Sequence, residues 1–506
     1  MPEPRLQPHR KRARVGLPDI RYIDLLWCSL AGLRCLRVVP VFVAAVDGPD
    51  DRDTSNLLYW LPDPCPTASL CRVALTLPCH ADIPSRGSGV SSLGDVRLNV
   101  KDPQMDLCSL PWRPHHYMAP VEMLDPISAM PWSLCPRSCL ARIVKKAELE
   151  HGLTFRVGFE LEFVLGSADC QITEMRTYSS AGAFDDAAPI LDELCKTLSE
   201  LGLIVEQMHK ESGPGQFEIV LGHRPVITAV DGLLFAREAI VAVAQRHQRR
   251  VNFLPKYMGE HAGNGCHVHI SLWRNGMNLL PPPGLTETTP SLTNLDDVLK
   301  TYCSAEGMLL LDETLRQFLG GLHALLPALM CFTTPTPNSF RRIQPRAWAG
   351  AFQGWGIGNK EVPLRLPIQS LDEGVFTNLE VKLCDATANP YIAVAALISA
   401  GLVGLELAAM TSKDDEPIQN PMLLPPPLEV DAGELSLFEQ TRRGIRKLPK
   451  NWAEAKAHLM SPEATRLREL LGTDMVQACV ATRESEWAAL KGMTLDKEVS
   501  LLYDKY

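Results

Sequence analysis

Glu160 and Glu162 stand two apart in Val-Gly-Phe-Glu-Leu-Glu-Phe at 157–163. His267 and His269 repeat that spacing in Gly-Asn-Gly-Cys-His-Val-His-Ile-Ser-Leu at 263–272. Glu211 and Glu218 bracket Ser-Gly-Pro-Gly-Gln-Phe, and Glu380 lies in Asn-Leu-Glu-Val-Lys. On a strand, side chains two apart share a face, so Glu160 with Glu162, and His267 with His269, each point one way. The residues between them are apolar, so carboxylates on such strands need partners, and a solvated face does not account for them. Five carboxylates beside imidazole suit two or three Mg²⁺ or Mn²⁺ ions, hard cations that prefer oxygen and, for Mn²⁺, accept nitrogen.

Cations come next along the chain. Pro337-Asn-Ser-Phe-Arg-Arg carries Arg341 and Arg342, and Asn359-Lys-Glu-Val-Pro-Leu-Arg carries Lys360 and Arg365. Guanidinium groups grip carboxylate or phosphate with two parallel hydrogen bonds, so the set suits an acidic substrate and a nucleotide. No Gly-rich Lys loop of the Walker type and no serine nucleophile elbow occurs.

The elements that must position these groups read as α+β. Strands are expected at 20–27, 36–43, 93–113, 155–165, 203–208, 216–221, 251–254, 266–272, 362–366 and 377–383. Helices are expected at 137–151, 186–201, 228–248, 295–313 and 315–330, with a proline-broken linker from Pro120 to Pro136. The apolar run 391–410 is long enough for a bilayer but Ala-rich, Gly-interrupted and marked by Glu406, which predicts a buried core helix. Residues 44–66, 281–284 and 413–435 read as loops.

At 506 residues with a net charge of −9, the chain has room for a small and a large domain and lacks the basic field of a nucleic-acid binder. Its 15 irregularly spaced cysteines read as reduced thiols in a cytoplasmic protein. The basic residues up to Arg14 read as a disordered tail over 1–17.

Seven phrases in order resemble the glutamine synthetase family: Leu134-Cys-Pro-Arg-Ser, Gly158-Phe-Glu-Leu-Glu, Glu211 to Glu218, Gly265-Cys-His-Val-His, Asn338-Ser-Phe-Arg-Arg, Glu380 and Ala388-Asn-Pro-Tyr. The likeness is nearest to the branch holding the fungal FluG C-terminal domain and bacterial γ-glutamylamine ligases. It implies a β-grasp N-terminal domain over 18–125 and a catalytic domain over 130–506, with an antiparallel sheet and flanking helices. It also implies a ring-shaped homo-oligomer whose active sites are shared between neighbours, and a ligase that phosphorylates glutamate with ATP before an amine displaces the phosphate.

The resemblance further implies roles. Glu162, Glu211 and Glu218 would hold the ion near the phosphorylated acid; Glu160, His267 and Glu380 would hold the ion at the ATP phosphates. Glu206, His269 and Ser271 fall at nucleotide positions. Gly263 and Arg342 fall where glutamate's carboxylate is held, with Glu162 and Lys382 beside it, and Lys360 and Arg365 fall where phosphate is neutralised. Asp82 is the candidate for a second acid of the ammonium site. The family's first ammonium-site glutamate is replaced by Trp348, an apolar wall with a cation–π face, which argues for an amine larger than ammonia. Lys360 and Lys382 replace arginines, and Asn378 replaces an arginine near the nucleotide. Authentic glutamine synthesis and a non-catalytic structural or signalling role are the alternatives.

Overall fold

The computed structural model describes residues 20–41, 65–281, 294–369, 375–411 and 422–506. The expected tail over 1–17, most of the loop at 44–66, the tip of the loop at 281–284 and part of 413–435 lie outside the described residues.

Two small sheets come first. β1 (Tyr22–Cys28) and β2 (Arg34–Pro40) form a hairpin, and β6 (His116–Pro120) runs parallel beside β1, with β5 (Cys108–Ser109) at the edge. A three-stranded sheet joins β3 (Ala68–Cys71), β4 (Asp95–Asn99) and β7 (Glu122–Leu124). β1 is apolar apart from Asp24, which is fully buried and satisfied by Arg113 Nη1 and His116 Nδ1, each at 2.7 Å. The expected single strand over 93–113 is two strands separated by a helical turn at Pro103–Asp106, because Pro103 favours a helix start and lacks the ladder N–H. The expected linker contains β7: Glu122–Leu124 lies between Pro120 and Pro126, free of proline, and pairs with β4.

The large sheet has nine strands. At its centre is β8 (Thr154–Gly166), thirteen residues long and almost wholly buried. On one side lie β10 (Gln216–Pro225) and then β9 (Val205–Lys210). On the other lie β12 (Cys266–Arg274), β17 (Leu379–Val381), β16 (Leu364–Leu366) and β15 (Trp355–Ile357). β11 (Arg250–Asn252) pairs with β8, and β13 (Met277–Asn278) extends β12. A separate ribbon joins β14 (Phe352–Gln353) to β18 (Arg446–Lys447).

Helices cover this sheet and one another. The expected apolar helix is Pro390–Thr411, buried along nearly its whole length. It packs on Glu313–Thr333, which is also apolar and long enough to cross a membrane; both are mostly buried inside the protein. Their axes approach closely at Gly321 and Gly404, where a Cβ on either would lie under 3 Å from the other's backbone. The helix expected over 295–313 is divided into Leu295–Tyr302 and Ala305–Met308, because the side chains of Ser304 and Asp312 cap new starts. All fifteen cysteines are free thiols.

The small sheets dock on the large part through backbone. Asn389 Nδ2 donates to the Cys28 and Ser29 carbonyls at 3.1 and 2.9 Å, and Tyr506 Oη donates to the Ala31 carbonyl at 2.8 Å.

Candidate active site

Register across the large sheet brings the dispersed acids and histidines together. In antiparallel neighbours, directly opposed residues point to the same face. His267 opposes Glu160, Glu162 opposes Glu218, and Glu218 in turn opposes His209. His269 opposes Glu380, and Glu380 opposes Arg365. Strands across the sheet thus contribute to one charged face, and the intervening Leu161, Val268 and Ile219 fill the core behind it.

Distances divide the face into two groups. His267 Nδ1 lies 2.8 Å from Glu160 and 3.4 Å from Glu380, and its Nε2 lies 3.8 Å from Glu162. His269 Nε2 lies 3.0 Å from Glu160, yet makes no well-aligned hydrogen bond. Ligand atoms of Glu160, His269 and Glu380 come within 4.8 Å of one another, as do those of His209, Glu211 and Glu218. The grouping therefore differs from the expected triads by bringing in His269 and His209. A set of carboxylate oxygens with imidazole nitrogens, one of them buried without a hydrogen bond, fits hard divalent cations such as Mg²⁺ or Mn²⁺.

The pocket over this face has a volume of about 250 Å³ and is also lined by Gly263, Arg342, Trp348, Lys360, Arg365 and Lys382. Arg342 is buried and anchored by Nη2 to the Lys382 and Cys384 carbonyls at 2.9 and 3.2 Å. A Cβ at Gly263 would lie 1.8 Å from the Pro255 carbonyl, so only glycine lets this backbone enter the pocket. Lys382 is buried with Nζ 3.7 Å from Glu380, whereas Lys360 is exposed at the mouth.

Electrostatics follow from the crowding of largely buried charges. Burial raises the Glu160 carboxyl, but the hydrogen bond to His267 and the close approach of His269 outweigh it and hold the group well below the usual carboxylate range. Burial likewise raises Glu380, and Lys382, His269 and His267 together pull it below its ordinary value. Glu218 lies 3.7 Å from His209 Nδ1, yet burial, then repulsion from Glu160, Glu162, Glu211 and Glu380, pushes it well up. Glu162 is also raised, chiefly by burial. Burial lowers His269, but Glu160 outweighs that and brings it to about 9.

Four expected residues do not line this pocket, among them His269, which lies beside it with Nε2 against Glu160. Glu206 is exposed; Gln207 and His209, on the other phase of the strand's alternation, face the acids instead. Asp82 is exposed in a loop of the N-terminal part. Ser271 is buried, accepting from Trp273 Nε1 at 2.8 Å. Asn378 Oδ1 lies 2.8 Å from His269 Nδ1, orienting that ring.

His209, Gln216 and Tyr178 join the pocket although the sequence reading assigned them no role. Period-two spacing from Glu211 and Glu218 marks the first two. Tyr178 comes from a distant loop and meets Trp348 edge to face at 6.4 Å, a contact with no local sequence signal. Trp348 is half exposed with φ of 53°.

Known proteins resemble this chain. The family model described as "Glutamine synthetase, catalytic domain" matches residues 133–295 and 290–502. The chain is 33% identical over 420 residues to the gamma-glutamylpolyamine synthetase GlnA3 of Streptomyces coelicolor, covering 82% of this chain and 81% of that one. It is 30% identical over 391 residues to type-1 glutamine synthetase 1 of Dictyostelium discoideum, covering 74% and 70%. A crystal structure described as a novel glutamine synthase homolog shares the fold with a TM-score of 0.74 over 100% of both chains, at 24% identity. With most of its length matched by the family model and its acids and histidines converging on one sheet face, the chain belongs to the glutamine synthetase family of ATP-dependent ligases.

Proposed function

We propose that the protein joins the γ-carboxyl of glutamate to an organic amine, by way of γ-glutamyl phosphate made at the expense of ATP. The observation that carries the amine is the aromatic rim: Trp348 and Tyr178 meet at the mouth of an otherwise charged pocket. An indole where ammonium would need a carboxylate offers a cation–π face and an apolar wall, which suits a carbon-bearing amine. The likeness to a relative named for γ-glutamylpolyamine synthesis supports the same reading.

Glu160, Glu380, His267 and His269 would hold one Mg²⁺ or Mn²⁺, and Glu162, Glu211 and Glu218, with His209 beside them, would hold another. Bound there, the ions would supply positive charge to the phosphate oxygens of ATP and of the phosphorylated acid. The chain's own groups do the rest. Arg342 and the Gly263 backbone hold the glutamate carboxylate, with Lys382 behind them. Arg365 and Lys360 neutralise charge on the phosphoryl group as it moves, a role that fixed cations fill without reorganisation. Tyr178 and Trp348 flank the amine as it approaches the acyl carbon.

Asp82 and the nucleotide positions Glu206 and Ser271 lie outside the pocket of one chain. A ring-shaped homo-oligomer, in which a neighbour's N-terminal part completes each site, accommodates Asp82 in this reading, and sedimentation showing a fully active monomer rejects it. The free thiols agree with a cytoplasmic setting.

Relatives named glutamine synthetase make ammonia the second reading. The deciding experiment is phosphate release from ATP with glutamate and Mg²⁺ or Mn²⁺, comparing ammonium with polyamines, short alkylamines, ethanolamine and aromatic amines. Release with an organic amine and not with ammonium supports the proposal. Ordinary turnover with ammonium alone overturns it.

A further inference from the structure

Lys210 ends β9 with its side chain wholly buried, a rare setting for an ammonium group. Three acceptors match its three N–H bonds. They are the carbonyl of Glu211, the carbonyl of Gly213 at 2.7 Å and the Glu174 carboxylate at 3.4 Å. All three belong to, or clip, the turn between β9 and β10. The Gly215 N–H is shared between the backbone carbonyl and the carboxylate of Glu174, at 3.0 and 3.1 Å.

The same turn carries two groups of the pocket. Glu211 stands at its start, with Oε1 2.8 Å from His209 Nε2. Gln216 stands at its end: its Oε1 accepts from the Gly213 N–H at 2.7 Å, and its Nε2 donates to Glu162 at 2.6 Å and to the Gly263 carbonyl at 3.1 Å. Carbonyls of the turn thus converge on a buried cation, while its two polar side chains face the acids. Without that cation, the partly buried Glu211 carbonyl would lose this donor and the Gly213 carbonyl would keep the Gln216 N–H at 3.1 Å, so the turn would be held less firmly.

We propose that Lys210, balanced by Glu174, is a positioning residue for the cation centre formed around Glu211, Glu218 and Glu162. It touches no reacting atom. Lys210 acts by fixing the turn, so that Glu211 meets Glu218 and Gln216 orients the Glu162 carboxylate. A carboxylate delivered by a fixed backbone offers its oxygen at lower entropic cost than one on a mobile loop. The proposal rests on the two-centre reading above.

The test is a Mn²⁺ titration of the full chain, with free Mn²⁺ read by electron paramagnetic resonance, alongside thermal unfolding in chelator. Lys210→Met leaves the part-buried Glu174 uncompensated, so the informative variant is Lys210→Met with Glu174→Gln, which removes both charges together. The expected result is that one class of bound Mn²⁺ weakens by about tenfold or more, while the class around Glu160 and Glu380 keeps its affinity. A merely structural role would weaken both classes together, in step with the unfolding temperature, and that outcome overturns the proposal. So does parental binding in the double variant. Should the double variant not fold, Glu174→Gln alone serves: selective weakening of one class supports the clamp, and unchanged binding overturns it. A parent that binds fewer than two Mn²⁺ ions overturns the two-centre reading itself, a result visible before any variant is made.

Discussion

Arg365 and Glu380 occupy opposed positions on β16 and β17, and Arg365 Nη1 donates to Glu380 Oε2 at 2.7 Å. The guanidinium thus sits against an acid that also faces His267 and His269. In the proposed reading, this fixed cation meets phosphate oxygens at that edge. Arg365→Ala should lower kcat by about 10²- to 10³-fold, the usual loss on removing one preorganised donor. Steady-state phosphate release with saturating amine measures it, and a change confined to KM would argue for a binding role alone.

Glu218 makes cation binding depend on pH. Its carboxyl is raised by burial and by four neighbouring acids, so without metal it holds its proton to higher pH than an ordinary carboxyl, and an incoming cation competes with that proton. Apparent Mn²⁺ affinity should therefore increase with pH up to that raised value, with proton release on binding. Calorimetry in buffers of different ionisation enthalpy counts the protons. Glu218→Gln should reduce the release and weaken binding; unchanged release would assign the proton elsewhere.

Trp348 and Tyr178 should govern the acceptor. Loss of a cation–π face is worth about 0.5–2 kcal/mol, so Trp348→Ala should raise KM for the preferred amine by about 2- to 30-fold. The KM for ATP should move little, because the proposed role of the ring is confined to the amine. Trp348→Glu should improve turnover with ammonium, and initial rates with both acceptors test the pair.

His323 predicts sensitivity to acid. Burial lowers it from 6.5 to about 4, so between those values the unfolded chain binds more protons than the folded one. Stability supplied by the neutral ring is complete above pH 6.5 and is lost as pH falls through about 4. His323→Gln should flatten the dependence of unfolding free energy on pH across that window by up to about 1.4 kcal/mol per pH unit. Denaturant unfolding at a series of pH values gives the slope, and an unaltered slope assigns the acid lability to other groups.

Much of the site is legible in sequence because its carriers are strands. Alternation by itself pairs Glu160 with Glu162 and His267 with His269, and the cations fall in recognisable phrases. The same alternation could have added His209 and Gln216, which keep step with Glu211 and Glu218. The resemblance to a family reaches further than periodicity, to fold class and reaction type. Boundaries are weaker: β7 hides among prolines, and the helix from Leu295 stops early because Ser304 and Asp312 cap the two helices after it.

Type and spacing along the chain determined which residues are chemical, since a carboxylate in an apolar strand needs a partner wherever that strand lies. Which residues meet was decided only by tertiary structure. Strand order placed β12 and β10 on either side of β8, so His267 came to Glu160 and Glu218 to Glu162 from distant parts of the chain. Loop packing set Tyr178 against Trp348 and carried Glu174 over the turn at Glu211. Local patterns cannot encode such meetings, because a side chain's periodicity reports its face and not the strand that will lie beside it.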